Sequence, residues 1–310
     1  MLGEAMFALV TGSNGFVGPY LVEELRRRGH EVAELAVGVD IGDRAAIDVE
    51  VKAFMERIEA GQATAVFHLA ALSHVGRSWS DPASVIRVNV GGTANLLGSL
   101  SAAGFEGRFL FVSSAEVYGN RNDLERISES VGPAPLSPYA ASKLAAEEFV
   151  KQAWRAFGID VLITRPFNHI GPGQSPDFLV SALARRIVAA ERSNASSIEV
   201  GNLSAVRDFL DVRDVVRAYC DLVEQAPSGE VFNVASGRGV AVSEVLDRML
   251  RLANTELRAE VSDALVRKVE VPRLVGDASK LEAATSFAPL FALESTLKAV
   301  LEHWRLRDPD

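Results

Sequence analysis

Ser113, Ser114 and Glu116 end an apolar run, and a second stretch places Tyr139 four residues before Lys143. If the second stretch is helical, residues four apart share a face, so the phenol and the ammonium point the same way. A cation held there favours the phenolate and is expected to lower the tyrosine pKa from about 10. The pair therefore predicts a proton donor or acceptor at a carbonyl or an alcohol. A solvated helix face would show the same spacing, so the rest of the sequence is needed to distinguish a catalytic pair from a solvated face.

The segments around these residues alternate between strands and helices. Strands are predicted at 6–10, 31–37, 65–71, 109–113, 159–164, 198–201 and 231–235, with the end of a further strand at 39–41. Helices are predicted at 19–28, 45–59, 89–100, 138–157, 178–190 and 212–224, and a loop at 166–175. Near-continuous apolar runs such as 65–71 are typical of strands that are buried on both faces of a parallel sheet. The pattern predicts an α/β fold with a doubly wound parallel sheet.

Three glycines, Gly12, Gly15 and Gly18, lie between the first strand and the first helix. Glycines in this place allow a tight turn, close approach of a pyrophosphate and close packing of helix on strand. The helix N-terminus adds free N–H groups and a positive dipole end. We therefore predict a dinucleotide site of the Rossmann type. An acid at the end of the second strand would favour NAD and an arginine NADP, but residues 36–38 contain neither, and Asp40 could reach the adenine instead.

The chain is expected to form two lobes that are interleaved in sequence. Residues 1–165 and 208–240 are predicted to form the dinucleotide-binding domain. Residues 166–207 and 241–310, where the strand–helix rhythm loosens, are predicted to form a smaller α/β lobe that binds the substrate.

Composition excludes several classes of function. A net charge of −9 argues against a nucleic-acid binder, because neutralising phosphates needs clustered Lys and Arg. Cys220 is the only cysteine, and the five histidines show no metal-ligand spacing, so no metal site is expected. His68 lies within an apolar strand and is expected to be a core residue.

A basic leader and an apolar run of about 20 residues are both missing, so we expect a cytoplasmic protein without a membrane span.

These motifs resemble the extended short-chain dehydrogenase/reductase superfamily. The resemblance is carried by the glycine loop, by Ser114, Tyr139 and Lys143, and by L-A-A-L-S-H-V at 69–75, N-V-x-G-T at 89–93 and S-P-Y-A-A-S-K at 137–143. Three further segments are similar to enzymes that act on GDP-mannose derivatives, and most to the GDP-6-deoxy-D-mannose reductases. They are R-P-F-N-H-I-G-P-G-Q-S at 165–175, V-G-N-L-S-A-V-R-D-F-L-D-V-R-D at 200–214 and R-K-V-E-V-P-R-L-V-G-D at 267–277.

The resemblance implies a role for each matching residue. Tyr139 would give its proton to the sugar carbonyl oxygen, with Ser114 hydrogen-bonded to the same oxygen. Lys143 would lower the tyrosine pKa and bind the nicotinamide ribose, and Glu116 would join this catalytic group near the hexose. The implied contacts to NADPH or NADH come from Gly12, Asn14, Gly15, Phe16, Val17, Gly18, Asp40, Ile41, Leu69, Ala70, Ala71, Asn89, Ser113, Tyr139, Lys143, Phe167 and His169. The implied substrate contacts come from His74, Asn168, Val200, Arg207, Arg267 and Glu270.

The activity implied is reduction of the C4 ketone of a GDP-4-keto-6-deoxy-hexose to GDP-D-rhamnose, by a homodimer that pairs through the Tyr139 helix. The C4 epimer, GDP-6-deoxy-D-talose, remains an alternative product. Retention of Glu116 keeps a nucleotide-sugar 4,6-dehydratase as the alternative reaction. Ala115 opposes it, because dTDP-glucose dehydratases carry an aspartate there, and so does the short connection at 37–40, which lacks an arginine-bearing loop. A non-catalytic dinucleotide-binding regulator would be expected to lose Tyr139 or Lys143.

Overall fold

A six-stranded parallel sheet lies at the centre of the computed structural model, which describes residues 5–262, 265 and 271–307. The strands are β1 (Met6–Thr11), β2 (Glu31–Glu34), β3 (Ala63–His68), β4 (Arg108–Val112), β5 (Asp160–Pro166), β6 (Asn168–Ile170), β7 (Ser197–Val200), β8 (Val206–Asp211), β9 (Val231–Val234), β10 (Gly239–Ala241), β11 (Arg258–Val261) and β12 (Arg273–Leu274). The central sheet has the order β2-β1-β3-β4-β5-β9, and all of its neighbouring strands are parallel. The doubly wound parallel sheet predicted from the sequence is confirmed.

Helices cover both faces of this sheet. They are α1 (Gly18–Arg27), α2 (Arg44–Met55), α3 (Val75–Ser78), α4 (Pro82–Val85), α5 (Gly92–Ala102), α6 (Pro138–Phe157), α7 (Leu179–Ser193), α8 (Val212–Gln225), α9 (Val242–Arg251), α10 (Ser279–Thr285) and α11 (Leu293–Leu306); a π-helical segment (Ile86–Gly91) precedes α5, and a 3₁₀ turn (Ala115–Tyr118) follows β4. Strand side chains alternate between faces, so Ala8 and Val10 pack with α1 and α8, whereas Phe7 and Leu9 pack with α2 and α5. None of the helices in the described part of the chain combines the length and the apolar character that crossing a bilayer requires.

The strand order reverses between β1 and β3, because β2 lies on one side of β1 and β3 on the other. The loops that follow two such strands separate and leave a crevice, where open α/β sheets bind their ligands. Thr11 at the end of β1 is paired with His68 at the end of β3. The glycine loop and the segment 69–75 therefore start side by side at this crevice.

Two smaller sheets lie beyond β5. One has the order β10-β8-β12, with β6 also paired to β8, and the other joins β11 to β7. Their helices share an apolar core that includes Leu183 of α7, Val245 of α9 and Leu297 of α11. This region is where the sequence predicts the substrate lobe. The division into two domains stays a prediction, and its boundary between residues 207 and 208 falls inside β8.

Two predictions of local structure are wrong. Residues 39–41 do not form a strand, because the chain turns there: Asp40 accepts a hydrogen bond from the Gly42 N–H at 2.8 Å, and Asp43 caps α2. Residues 168–170, which lie within the predicted loop, form β6 by pairing with β8. At residues 39–41 the turn and the helix cap outweigh the local preference for a strand. At residues 168–170 pairing with a strand distant in sequence outweighs the local preference for a loop.

Candidate active site

The loop after β1 brings its glycines against neighbouring backbone. Gly12 has a φ of +73°, and a Cβ at this position would lie 2.8 Å from the Ala70 nitrogen. A Cβ on Gly18 would overlap the carbonyl oxygen of Ser13. Only glycine avoids both conflicts at these positions. The predicted glycine spacing therefore has a steric cause in the structure.

The N-terminus of α1 fits a bound pyrophosphate. Among the described residues, no side chain caps this helix at Val17, and the buried Ser13 hydroxyl has no hydrogen-bond partner. Unsatisfied N–H groups at a helix start are a ready site for phosphate, which also suits the positive end of the helix dipole. The residues present at this loop therefore fit a dinucleotide cofactor.

Helix α6 has the bounds that the sequence predicts. The Ser137 side chain caps its first turn at 3.1 Å, and Gly158 ends it with a left-handed φ of 71°. Tyr139 and Lys143 both lie on the buried face of this helix. The structure thus excludes a solvated helix face as the reason for their spacing.

Ser114, Tyr139 and Lys143 form one cluster at the carboxyl end of β4. The Tyr139 phenol lies close enough to the Ser114 side chain for this neighbour to lower its pKa. The Lys143 ammonium donates to the Val112 carbonyl oxygen at 2.7 Å and lies 4.9 Å from the centre of the Phe111 ring. The structure therefore brings together the three residues for which the sequence predicts catalysis.

Burial dominates the proton affinities in this cluster. It raises the pKa of Tyr139 to about 12, although the neighbouring Ser114 side chain lowers it and the charge of Glu116 raises it further. Burial lowers the pKa of Lys143 to about 7, against the opposing charge of Glu147. The pKa of Tyr139 is raised, whereas its spacing with Lys143 predicts a lowered pKa. The reason is that the ammonium faces backbone at the end of β4, while desolvation disfavours the phenolate.

A cavity of ≈ 530 Å³ opens beside the cluster, and its wall contains predicted residues of every group. The catalytic group contributes Ser114, Glu116, Tyr139 and Lys143; the cofactor group contributes Gly12, Gly15, Phe16, Val17, Gly18, Leu69, Ala70, Ala71, Ser113, Phe167 and His169; and the substrate group contributes His74, Asn168, Val200 and Arg207. The volume lies in the range of ligand sites, roughly 300–1,000 Å³. The individual roles of these residues stay predictions.

Four predicted cofactor residues lie outside this wall. Asn14 is exposed, and Ile41 is buried in the core under α5. The Asp40 carboxylate binds the Arg87 guanidinium at 2.6 Å, so a contact to adenine would compete with this ion pair. The Asn89 side chain is buried and hydrogen-bonds within the protein. The structure does not bring these four side chains to the cavity.

The predicted nucleotide-binding residues are only partly described. Arg207 lies in the cavity wall, whereas Arg267 and Glu270 lie outside the described residues. Sequence reasoning missed Arg186 of α7, which lies in the same wall and donates to the Glu199 carbonyl oxygen at 3.1 Å.

Arg186 could have been found from helical spacing. Leu179, Ala182, Leu183 and Arg186 all line the cavity, and residues three, four and seven apart share a helix face. Arg185, the preceding residue, is exposed. The spacing from Leu179 and Leu183 therefore favours Arg186 over Arg185 as the arginine that faces the cavity.

Two histidines in the wall contact aromatic rings. His74 caps α3 by accepting the Arg77 N–H at Nδ1 at 2.9 Å, which leaves Nε2 as the donor of the ring, and it meets Phe178 edge-on at 5.9 Å. His169 lies parallel to Phe16 of the glycine loop at 6.0 Å between ring centres. These contacts give both side chains fixed positions in the wall.

Similarity to known proteins shows the family of this chain. The model described as "NAD dependent epimerase/dehydratase family" matches residues 8–235, a range that includes the glycine loop, Ser114, Tyr139 and Lys143. The chain belongs to this family. Membership in the NAD dependent epimerase/dehydratase family confirms the extended short-chain dehydrogenase/reductase character inferred from the motifs.

Proteins similar to this chain include enzymes that are named for reactions of GDP-linked sugars. A GDP-6-deoxy-D-mannose reductase from Pseudomonas aeruginosa is 39% identical over 245 residues, which cover 78% of this chain and 81% of the relative. A GDP-6-deoxy-D-talose 4-dehydrogenase from Aggregatibacter actinomycetemcomitans is 31% identical over 282 residues, which cover 89% of this chain and 90% of the relative. The solved structure of RMD from Pseudomonas aeruginosa complexed with NADPH has a TM-score of 0.86 and 35% identity, covering 97% of this chain and 99% of that one.

Family, relatives and site geometry agree on the class of activity. The protein is an NAD(P)-dependent oxidoreductase of nucleotide sugars. The glycine loop and the uncapped start of α1 are the parts of the structure that suit the cofactor.

Proposed function

We propose that the protein reduces the C4 ketone of a GDP-4-keto-6-deoxy-hexose and releases GDP-D-rhamnose. The observation that carries this proposal is that Tyr139 and Ser114 lie together in a cavity whose wall also contains Arg186 and Arg207. A proton donor beside a hydride carrier suits reduction of a carbonyl, and guanidinium groups suit a diphosphate. Similarity to a GDP-6-deoxy-D-mannose reductase supports a GDP-linked 4-keto sugar as the substrate.

In the proposed reduction, Tyr139 donates its phenolic proton to the carbonyl oxygen at C4 and later regains a proton from solvent. The raised pKa keeps this phenol protonated at neutral pH, which is the form that a general acid must have before the reaction. Ser114 hydrogen-bonds the same oxygen and stabilises the negative charge that develops on it. Lys143 would bind the ribose hydroxyls of NADPH or NADH, and the chemistry that this cofactor would supply is hydride transfer.

Arg186→Ala is expected to raise the KM for the nucleotide sugar roughly tenfold to a hundredfold, because a charged hydrogen bond is lost. The kcat should change little, since a contact to the nucleotide binds substrate and transition state alike. Steady-state kinetics with varied sugar measures both constants. Arg185→Ala, one residue away and exposed, is the matched control and should leave KM unchanged. Equal KM values in the two variants would remove Arg186 from the substrate site.

The kcat/KM for the cofactor is expected to fall as pH rises through about 7, because Lys143 loses its proton there. The neutral amine binds ribose hydroxyls less well, and kcat/KM reports groups of the free enzyme. The pH profile of wild type should be compared with that of Lys143→Met, which cannot titrate at this position. A fall through the same pH in Lys143→Met would assign it to another group.

Glu116 favours a second candidate function, that of a nucleotide-sugar 4,6-dehydratase. Its carboxylate lies in the cavity wall, close enough to raise the pKa of Tyr139, and an acid is needed to eliminate water after oxidation at C4. Ala115 argues against this function, because it leaves the site without a paired carboxylate. The connection of residues 35–43 between β2 and α2 also lacks room for a long arginine-bearing loop.

NMR of the product separates these reactions. With NADPH and GDP-4-keto-6-deoxy-D-mannose, the purified protein should consume NADPH and form GDP-D-rhamnose. Formation of GDP-6-deoxy-D-talose would keep the reductase and reverse the face of hydride addition. A 4-keto product made from GDP-mannose alone would overturn the reductase in favour of the dehydratase.

We also propose a homodimer in which the α6 helices of two copies pack together. Ala141, Ala145 and Phe149 form an exposed apolar stripe along α6, and Ile86 in the adjacent π-helical segment is also exposed. An isologous interface would pair this stripe with itself. Light scattering on wild type should report a dimer, and Phe149→Glu should shift it to monomer. Leu306→Glu, on an exposed end of α11, should not.

A further inference from the structure

A row of buried polar groups links the loop at residues 69–71, which we call the cofactor loop, to the interior behind the cavity. The Ala70 N–H donates to Thr11 Oγ1 at 3.3 Å, and Thr11 Oγ1 lies 2.7 Å from His68 Nδ1. On the other side of the ring, His68 Nε2 lies 2.9 Å from Thr93 Oγ1. The three side chains are at most 1% exposed. Ala70 itself lies in the cavity wall, so this row begins at the predicted cofactor site.

The directions of these hydrogen bonds follow from the far end of the row. The Thr93 hydroxyl donates its one proton to the Asn89 carbonyl oxygen at 2.7 Å, so it must accept from His68 Nε2. A neutral ring with its proton on Nε2 accepts at Nδ1, which the Thr11 hydroxyl satisfies. Burial lowers the pKa of His68 to about 3, and the charge of Lys143 lowers it further, so the ring is neutral at neutral pH. Donors and acceptors therefore match in one arrangement only.

Asn89 continues the row to the catalytic helix. Its Nδ2 donates to Ser142 Oγ at 2.9 Å, and Ser142 Oγ donates to the Tyr139 carbonyl oxygen at 2.7 Å. The Asn89 amide also exchanges hydrogen bonds with the backbone of Leu72. The residue lies within the π-helical segment, a rare conformation that is frequent at functional sites. The two ends of the row are thus the cofactor loop and the first turn of α6.

We propose that His68, together with Thr11 and Thr93, is a positioning residue. It fixes the position of the cofactor loop relative to Tyr139. His68 also packs near Phe109 and Phe111, at 5.8 and 5.7 Å between ring centres, but packing alone requires neither threonine hydroxyl. The expected effect on cofactor binding follows from the hydrogen bonds between Ala70, Thr11 and His68. The effect on turnover rests on the proposed role of Tyr139.

Thr11→Val and Thr93→Val test this proposal, because each removes one hydroxyl with little change in volume. Thr11→Val is expected to raise the Kd for NADPH about tenfold, since Ala70 and His68 lose a buried partner, with kcat at saturating cofactor nearly unchanged. Thr93→Val is expected to lower kcat about tenfold with nearly unchanged Kd, because Asn89 and the first turn of α6 lose their support. Fluorescence titration with NADPH and steady-state kinetics give the two constants.

Thr285→Val is the matched control. Thr285 is buried, and its hydroxyl donates at 2.8 Å to Leu281 within the same helix, away from the cavity wall. This variant should lose a comparable amount of thermal stability and keep both constants. The proposal is overturned if Thr11→Val and Thr93→Val change Kd and kcat no more than Thr285→Val, or if both variants change both constants in parallel with their Tm.

The test also separates this proposal from the proposed reductase activity. If wild type fails to reduce the 4-keto sugar, the proposed function fails. The Kd of Thr11→Val for NADPH still tests the effect on cofactor binding, and amide hydrogen exchange at residues 139–143 tests the effect on the first turn of α6. Faster exchange there in Thr93→Val than in Thr285→Val is expected, and equal rates would contradict the proposal.

Discussion

Tyr139→Phe is expected to lower kcat by roughly 10²–10⁴-fold, the range that a general acid supplies. The substitution removes only the phenolic oxygen, so the ring keeps its packing on the buried face of α6. Without this acid, the developing oxyanion at C4 keeps only the hydrogen bond from Ser114. Stopped-flow measurement of NADPH oxidation at saturating substrate gives the rate, and fluorescence titration should show a nearly unchanged Kd for NADPH.

Tyr118→Phe provides the control for this experiment. Tyr118 is also buried and donates to Asn233 Oδ1 at 2.7 Å, but it lies outside the cavity wall. Its variant should lose stability and keep most of its turnover. Near-full activity in Tyr139→Phe would remove Tyr139 from the mechanism, and an equal loss in both variants would indicate a structural effect.

Glu147→Leu is expected to reduce the free energy of unfolding by about 3–5 kcal/mol, since it leaves a buried arginine without its partner. Glu147 is fully buried and accepts two hydrogen bonds from Arg165, at 2.9 and 2.7 Å, and one from the Ser113 hydroxyl at 2.6 Å. Urea unfolding followed by circular dichroism measures the change. It should appear in the midpoint with little change in the slope.

The double variant Glu147→Leu with Arg165→Met distinguishes an unpaired charge from lost packing. A buried ion pair can often be replaced by apolar groups at little cost, so the double variant should regain most of the lost stability. Glu148→Leu, on the exposed side of the same helix, should change stability by only about 0.5 kcal/mol. If the double variant is as unstable as Glu147→Leu, the loss comes from packing and the prediction is wrong.

The central sheet and α6 could be predicted because their causes are local. Most strands of the sheet are apolar runs next to a helix or a glycine turn, and this pattern is visible in a short window of the sequence. Helix α6 has a serine cap at Ser137 and a left-handed glycine at Gly158, so both of its ends are encoded beside it. The Tyr139–Lys143 spacing could then be placed on one face.

Other features depend on distant partners and could not be predicted. Residues 39–41 have the composition of a strand, but Ile41 packs under α5 and Asp40 binds Arg87. The spacing of Tyr139 and Lys143 indicates a shared face, but not that the ammonium turns to the β4 backbone. Similarly, the hydrogen bonds that define the surroundings of His68 come from residues 57 and 25 positions away in sequence.

Helix α6 has a further consequence for how this chain can change. Its buried face carries Tyr139, Lys143 and Glu147, and its exposed face carries Ala141, Ala145 and Phe149, each set spaced by four residues. One inserted or deleted residue rotates everything beyond it by about 100°, which would turn Glu147 away from Arg165 and misplace Phe149. Substitutions on the exposed face preserve this arrangement. We therefore expect the length of α6 between Tyr139 and Phe149 to tolerate no insertion or deletion, although several of its side chains can vary.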